Sequence, residues 1–124
     1  MDKDQLVAEI ARLIVDDRKV AAHPWEKYAL IAFHGDGVSK LNGFRYVGEG
    51  AGEPATPAAF EIEDRLEELR EVTRVDGKPA WNACIFRLNR ASNHVSADFA
   101  YDDAVEWEVT PATATAIAAR ARPS

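Results

Sequence analysis

The first hydrophobic pattern in the chain is helical. Four apolar side chains recur every three or four positions, the spacing that lines one face of an α-helix. They are Leu6, Ile10, Leu13 and Ile14. The pattern predicts a helix over residues 4–19. It stops before His23-Pro24, because a proline pushes the residue before it out of the helical region.

Alternating apolar positions predict two β-hairpins. The predicted strands are residues 25–34, 38–47, 81–90 and 94–101. Gly35-Asp36-Gly37 separates the first two strands, and its glycines can supply the positive φ that a tight turn requires. Phe44 and Tyr46 are two positions apart, so we expect them to share one face of the sheet.

Two further helices are predicted between and after the hairpins. The glycine- and proline-rich residues 48–57 form a loop, and an amphipathic helix follows over residues 57–74, capped by Thr56. Thr110-Pro111 opens a terminal helix that continues to residue 122. The order helix, hairpin, helix, hairpin, helix predicts an α+β domain with a four-stranded antiparallel sheet. The central helix would carry the chain across that sheet.

Composition narrows the class of protein. A chain of 124 residues with 47% hydrophobic and 29% charged residues fits one globular domain, and it is too apolar for disorder and too charged for a membrane span. A formal net charge of −6 argues against direct nucleic-acid binding and favours a basic partner. The single cysteine, Cys84, and an N-terminus without a targeting pattern predict a cytoplasmic location without membrane attachment.

The residues that usually carry catalysis are sparse. His23, His34 and His94 are far apart in sequence, without the spacing of a zinc site. Cys84 lies in an apolar predicted strand, where a cysteine is more often a small buried side chain than a nucleophile. We therefore expect no enzyme activity, metal or cofactor. A small-ligand enzyme or sensor would require the loops around His34 and His94 to converge on a pocket.

Two acidic tracts dominate the charge distribution. Residues 49–71 contain eight acids and two arginines, and residues 98–108 contain five acids and no base. The two tracts could form one acidic surface, although the first could equally be the solvated face of a helix. In the second tract Trp107 stands beside carboxylates without a neighbouring base, a composition typical of a protein-binding rim around an aromatic anchor. Trp107 could equally fill the core.

These tracts supply the predicted partner-binding residues. Seven come from the second tract and two from the predicted central helix. They are Asp98, Tyr101, Asp102, Asp103, Glu106, Trp107 and Glu108, together with Glu63 and Glu67.

Several segments together resemble a known family. The matching features are the first helix with Leu6, Ile10 and Ile14, the strand over residues 25–33, Leu66-Glu67-Glu68-Leu69, Gly77-Lys78-Pro79-Ala80-Trp81, Asp98-Phe99-Ala100-Tyr101-Asp102-Asp103, and Trp107 before Thr110-Pro111. Over nearly its whole length the chain resembles the YezG/EsaG-like immunity proteins, the antitoxins of bacterial polymorphic toxin systems.

The resemblance implies a small cytosolic protein that neutralises a cognate secreted toxin by direct stoichiometric binding. Toxins paired with this family are often nucleases, whose basic grooves would complement an acidic and aromatic surface. Such inhibition would need no cofactor. The alternative from another class is an acidic secretion chaperone, which would hold a segment of an effector protein in extended form.

Overall fold

The structure is a computed structural model that describes residues 1–35 and 37–123. Within these residues the chain forms three α-helices and one antiparallel sheet of five strands. The helices are α1 (Lys3–Asp16), α2 (Glu61–Val72) and α3 (Ala114–Ala121). The strands are β1 (Lys27–Gly35), β2 (Val38–Tyr46), β3 (Glu53–Pro54), β4 (Ala83–Asn89) and β5 (His94–Ala100). The predicted α+β class is confirmed.

The predicted number of strands is wrong, because a further strand lies at one edge of the sheet. The strand order over the described residues is β3-β2-β1-β4-β5. The extra strand, β3, lies in residues 48–57, which were predicted to be a loop. Only Glu53 and Pro54 pair, with Arg45 and Phe44, so the strand is too short to show an alternating pattern. From this edge α2 carries the chain past β2 and β1 to β4, as predicted.

The sheet has a core on each face. On one face Tyr28, Leu30 and Ala32 of β1 pack in a buried cluster with α1 and α2. The two helices contribute Leu6, Ile10, Ile14, Ile62, Leu66 and Leu69. On the other face Ala29 and Ile31 pack with residues of α3. Phe44 and Tyr46 both belong to this second cluster, which confirms that they share a face.

The helices begin and end differently from the prediction. Helix α1 ends at Asp16, because the next residue, Asp17, turns its side chain to accept backbone hydrogen bonds from other segments. Thr56 does not cap α2. Its hydroxyl accepts a hydrogen bond from the backbone N–H of Gly43, and α2 begins at Glu61. Helix α3 begins at Ala114, so Pro111 lies in the preceding turn.

The first predicted turn is described in part. Gly37 adopts a φ of 76°, the left-handed conformation expected of a glycine in a tight turn. Asp36, in the same predicted turn, lies outside the described residues, as does Ser124. No helix among the described residues combines the length and the apolar character needed to cross a bilayer.

Candidate functional site

The second acidic tract lies at the end of the sheet where β1 turns into β2. After β5 the chain forms a short 3-10 helix, Ala104–Trp107. Ala104 packs with Phe33 of β1 in a small buried cluster, which holds the tract beside the hairpin. Between the tract and the hairpin is an open pocket of about 510 Å³, lined in part by Lys40, Asn82 and Glu108.

Exposed apolar side chains line this pocket. Val38 is 49% exposed, Tyr101 43% and Val105 67%, and all three lie on the wall of the same pocket. They come from β2, from the residue after β5 and from the short 3-10 helix, so only the fold brings them together. An apolar patch with an exposed aromatic ring is typical of a surface that binds another molecule.

Two of the predicted carboxylates beside this patch are free of ion pairs. Asp102 and Asp103 are exposed, and among residues 1–35 and 37–123 neither forms a salt bridge. Asp103 accepts a hydrogen bond of 3.3 Å from the backbone N–H of Tyr101, which fixes the turn after β5. The strongest negative charge of the tract is therefore next to Tyr101.

The other three predicted carboxylates have basic partners, which corrects the expectation that the tract is unpaired. Asp98 lies 2.7 Å from the guanidinium of Arg87, Glu108 lies 2.7 Å from the ammonium of Lys40, and Glu106 lies 4.0 Å from Arg120. These bases come from β4, β2 and α3, outside the tract itself. A count of charges along the chain could not find them.

Trp107 is more a part of the core than an exposed anchor. Its half-buried ring packs against both clusters on the α3 face of the sheet. The guanidinium of Arg120 lies 4.2 Å from the ring centroid, and that of Arg87 lies 6.0 Å away. A partner could stack on Trp107 only by displacing Arg120. The exposed aromatic residue of the tract is Tyr101.

The predicted residues of α2 lie on the other side of the hairpin. Glu63 and Glu67 line a second pocket, of about 170 Å³. His34 and Lys40 line both pockets, so the two acidic tracts flank the same end of the sheet. They do not form one continuous acidic surface, since the β1–β2 hairpin with Lys40 separates them.

His34 brings together side chains that sequence analysis did not connect. Its Nδ1 lies 3.0 Å from the hydroxyl of Ser39, and its Nε2 lies 3.6 Å from a carboxylate oxygen of Glu67. Burial lowers the pKa of His34, the nearby Arg70 guanidinium lowers it further, and Glu67 opposes both. A hydroxyl, an imidazole and a carboxylate therefore converge at this end of the sheet.

The contact between His34 and Ser39 could be predicted only from the correct register of the hairpin. Ser39 lies opposite His34 across β1 and β2, and that register depends on the turn. The position of Glu67 depends on how α2 packs, which no local signal in the sequence encodes.

The remaining candidate residues are separated by the fold. His94 is at the start of β5, opposite Asn89 and hence next to the Lys27 end of β1, whereas His34 is near the other end. The convergence that a small-ligand site at these two histidines would require does not occur. Cys84 is fully buried in β4, and burial raises the pKa of its thiol to about 12.

No protein-family model matches the chain, and no curated protein matches it. Within residues 1–35 and 37–123 no three His, Cys, Asp or Glu side chains converge as they would around a metal ion.

Proposed function

We propose that this protein is an immunity protein that binds the folded domain of a cognate bacterial toxin and thereby neutralises it. The observation that carries the proposal is the exposed apolar patch of Val38, Tyr101 and Val105 around one pocket, bordered by the exposed Asp102 and Asp103. An aromatic centre with a charged rim is the usual anatomy of a protein-binding surface.

Charge indicates the kind of partner. The protein carries a formal net charge of −6, and the free carboxylates beside Tyr101 add a local negative field. A toxin domain with a basic surface, such as the groove of a nuclease, complements that field. The resemblance to the YezG/EsaG-like immunity proteins supports the same kind of partner.

The contributions of the surface residues differ. Asp102 and Asp103 are exposed, so they act at long range and raise the rate of association. Tyr101 and Val105 become buried on binding and slow dissociation. Trp107 supports the surface from beneath, because its ring is already covered by Arg120.

A binding role is favoured over an enzymatic one, even though Ser39, His34 and Glu67 converge. The Glu67 side chain is 63% exposed, and Ser39 is exposed at the edge of the sheet. Electrostatic catalysis by such a set depends on a water-excluded site with fixed dipoles. A relay open to water on both sides lacks that condition.

The resemblance implies that the cognate toxin is encoded nearby, so the test uses a toxin domain from a neighbouring gene, with association and dissociation measured by surface plasmon resonance. Asp102→Lys with Asp103→Lys should lower the association rate and flatten its dependence on salt, since screening acts on exposed charges. Tyr101→Ala should speed dissociation about tenfold or more, as expected for an aromatic anchor.

The matched control is Glu49→Lys with Asp76→Lys. It makes the same change in net charge at two exposed residues outside both pockets, and it should lower the association rate much less. The proposal fails if the toxin is neutralised equally well by the folded Tyr101→Ala protein and by the charge-reversed protein. Binding to an unfolded segment of the partner, but not to its folded domain, would indicate a secretion chaperone instead.

A further inference from the structure

Strand β2 is open along the half that precedes its pairing with β3. Strand β3 pairs only with Phe44 and Arg45. Next to this pair the N–H of Ala55 donates to the carbonyl of Gly43 at 2.8 Å, and the N–H of Gly43 donates to the hydroxyl of Thr56. The chain then leaves the sheet towards α2, so within the described residues no strand lies beyond residues 38–42 of β2.

The open edge presents unpaired backbone groups. The N–H and C=O of Gly43 point away from β1, as the bonds to Ala55 and Thr56 show. Backbone groups two residues apart on a strand point to the same side, so those of Leu41 and Ser39 also point away from β1. Among residues 1–35 and 37–123 these four groups have no hydrogen-bond partner.

The opposite strand confirms this direction. Ser39 faces His34 across the hairpin, and the N–H of His34 points the other way, donating to the carbonyl of Asn82 at 2.7 Å. The pair His34 and Ser39 therefore exchanges no ladder bonds with each other. A change at the backbone of Ser39 would not remove a bond between β1 and β2.

An acidic groove runs beside this edge. The pocket of about 170 Å³ lies between β2 and α2, with Leu41 and Leu66 on its wall. Three carboxylates line it, those of Glu63, Asp64 and Glu67. The one lysine on its wall, Lys40, is held by Glu108 at 2.7 Å, so it does not neutralise the acids of α2.

We propose that this edge binds an extended segment rich in lysine or arginine, which adds to β2 as a further strand in line with β3. The backbone of the segment would bond to Ser39 and Leu41, the usual source of affinity in strand addition. Successive side chains of a strand point to opposite faces of the sheet, so the basic side chains on the α2 side of the added strand would approach Glu63 and Glu67. This second site goes beyond the proposed function, since it lies on the other side of the hairpin from Tyr101.

A basic segment fits this edge better than a second copy of the protein. Pairing two copies along β2 would bring the same carboxylates of α2 towards one another, and like charges in close contact oppose association. An exposed strand edge that the protein does not cover is a template for pairing with another chain. The carboxylates of α2 beside the edge favour a basic chain as the partner.

The probe is a seven-residue peptide of alternating lysine and valine, blocked at both ends, titrated into the full protein. Nuclear magnetic resonance should show shifts centred on residues 38–42, and hydrogen exchange at the amides of Ser39 and Leu41 should slow when the peptide is bound. Glu63→Lys with Glu67→Lys should weaken binding at least about tenfold, whereas Asp102→Lys with Asp103→Lys should weaken it much less.

Two further measurements separate strand addition from general charge attraction. Two peptides are compared, each N-methylated on alternate amides, one on the amides that face β2 and the other on those that face away. Methylation of the amides that face β2 removes the donors to the strand, so that peptide should lose affinity, whereas the other should keep it. Ser39→Pro should also weaken binding, because it removes one outward N–H at a sheet edge that tolerates proline. If the double lysine variant does not fold, Glu63→Gln with Glu67→Gln takes its place.

Several outcomes would overturn the proposal. They are absence of binding, equal binding by both methylated peptides, binding without protection of Ser39 and Leu41, and equal binding by the Glu63 and Glu67 variants. Protection of the same amides without peptide, in a protein that sediments as a dimer, would show that a second copy covers the edge. None of these results bears on toxin binding through Tyr101.

Discussion

At the scale of single residues, Asp17 joins the end of α1 to the segment that precedes α2. Asp17 is only 4% exposed, and its carboxylate accepts hydrogen bonds from the backbone N–H groups of Lys19, Val20, Ala58 and Ala59. Burial would raise the pKa of Asp17, but these four donors together hold it below its ordinary value. The ionised form is therefore the one that stabilises the fold.

Replacing Asp17 should lower the free energy of unfolding. Asp17→Ala leaves four donors without their acceptor, and a loss of about 3 kcal/mol or more is expected at neutral pH, measured by urea denaturation. Asp16→Ala is the control, because the Asp16 side chain is 65% exposed and forms an exposed salt bridge with Arg12. A similar small effect for both variants would contradict the role given to Asp17.

The same carboxylate predicts a dependence of stability on pH. Because the pKa of Asp17 is lower in the folded state than in the unfolded state, its contribution is fully present above the unfolded pKa of about 3.9. The contribution is lost as the pH falls through the lower folded value. Stability measured from pH 7 to pH 2 should therefore fall less steeply for Asp17→Asn than for the wild type.

Substitutions of Trp107 and Tyr101 distinguish a residue that stabilises the fold from one that contacts the partner. Trp107→Ala removes a ring that packs on both clusters of the α3 face, and it should lower the free energy of unfolding by about 2 kcal/mol, less than for a fully buried ring. Tyr101→Ala should change it by no more than about 0.5 kcal/mol. Equal stability of the two variants in urea would place Trp107 among the surface residues.

The sequence predicts the environment of a residue when that environment is set by its neighbours in the chain, and not when it is set by residues from other elements. The burial of Cys84 followed from the apolar strand around it. The partners of Asp98 and Glu108 did not, since Arg87 and Lys40 reach them only through strand pairing and the packing of the short 3-10 helix. The exposure of Tyr101 and the covering of Trp107 by Arg120 likewise depend on packing between different elements of the fold.

At the scale of elements, α3 closes one face of the sheet. Ile117, Ala118 and Ala121 pack on the strands, and the carbonyl of Ala118 accepts a hydrogen bond of 2.6 Å from the hydroxyl of Tyr46. Removing α3 would expose the apolar face and leave this hydroxyl without its partner. The helix therefore belongs to the core and is not a loose terminus.

Truncation tests this directly. A chain that stops before Pro111 should lose cooperative thermal unfolding, because the apolar face of the sheet becomes exposed. As a smaller change, Ile117→Ala should cost about 2 to 4 kcal/mol in urea, with the exposed Thr115→Ala as the matched control. A truncated chain with an unchanged melting temperature would refute the role of α3.

Helices with a long hydrophobic repeat could be predicted from the sequence, but the residues at which they begin and end could not. The repeat of Leu6, Ile10 and Ile14 placed α1 correctly, because helix packing requires that spacing. The start of α2 was predicted at the wrong residue, because Thr56 bonds to Gly43 in a neighbouring strand. Strand β3 has only two residues, and its pairing depends on the path of the chain and not on a local pattern.

At the scale of the whole molecule, Cys84 reports on global opening. It lies in β4, between β1 and β5, and is fully buried. Burial raises the pKa of its thiol to about 12, so the native protein contains almost no reactive thiolate. Labelling by an aromatic disulfide reagent should therefore require unfolding of the sheet, and its rate should rise with urea in parallel with the unfolded fraction.

The control for labelling is Cys84→Ala with Ser92→Cys. Ser92 is exposed between β4 and β5, so the new thiol should react at once in the native state. Rapid labelling of Cys84 itself, without urea, would mean that β5 opens separately from the rest of the sheet.

The order of the strands also has a consequence for how fast the molecule folds. Each hairpin joins neighbours in sequence, so its strands meet after closing a short loop. The central pair does not: β1 meets β4 only when Phe33 reaches Ala83, which closes a loop of about fifty residues that includes α2. The two hairpins are therefore suited to form early and separately, while the time needed to dock them along β1 and β4 sets the folding rate.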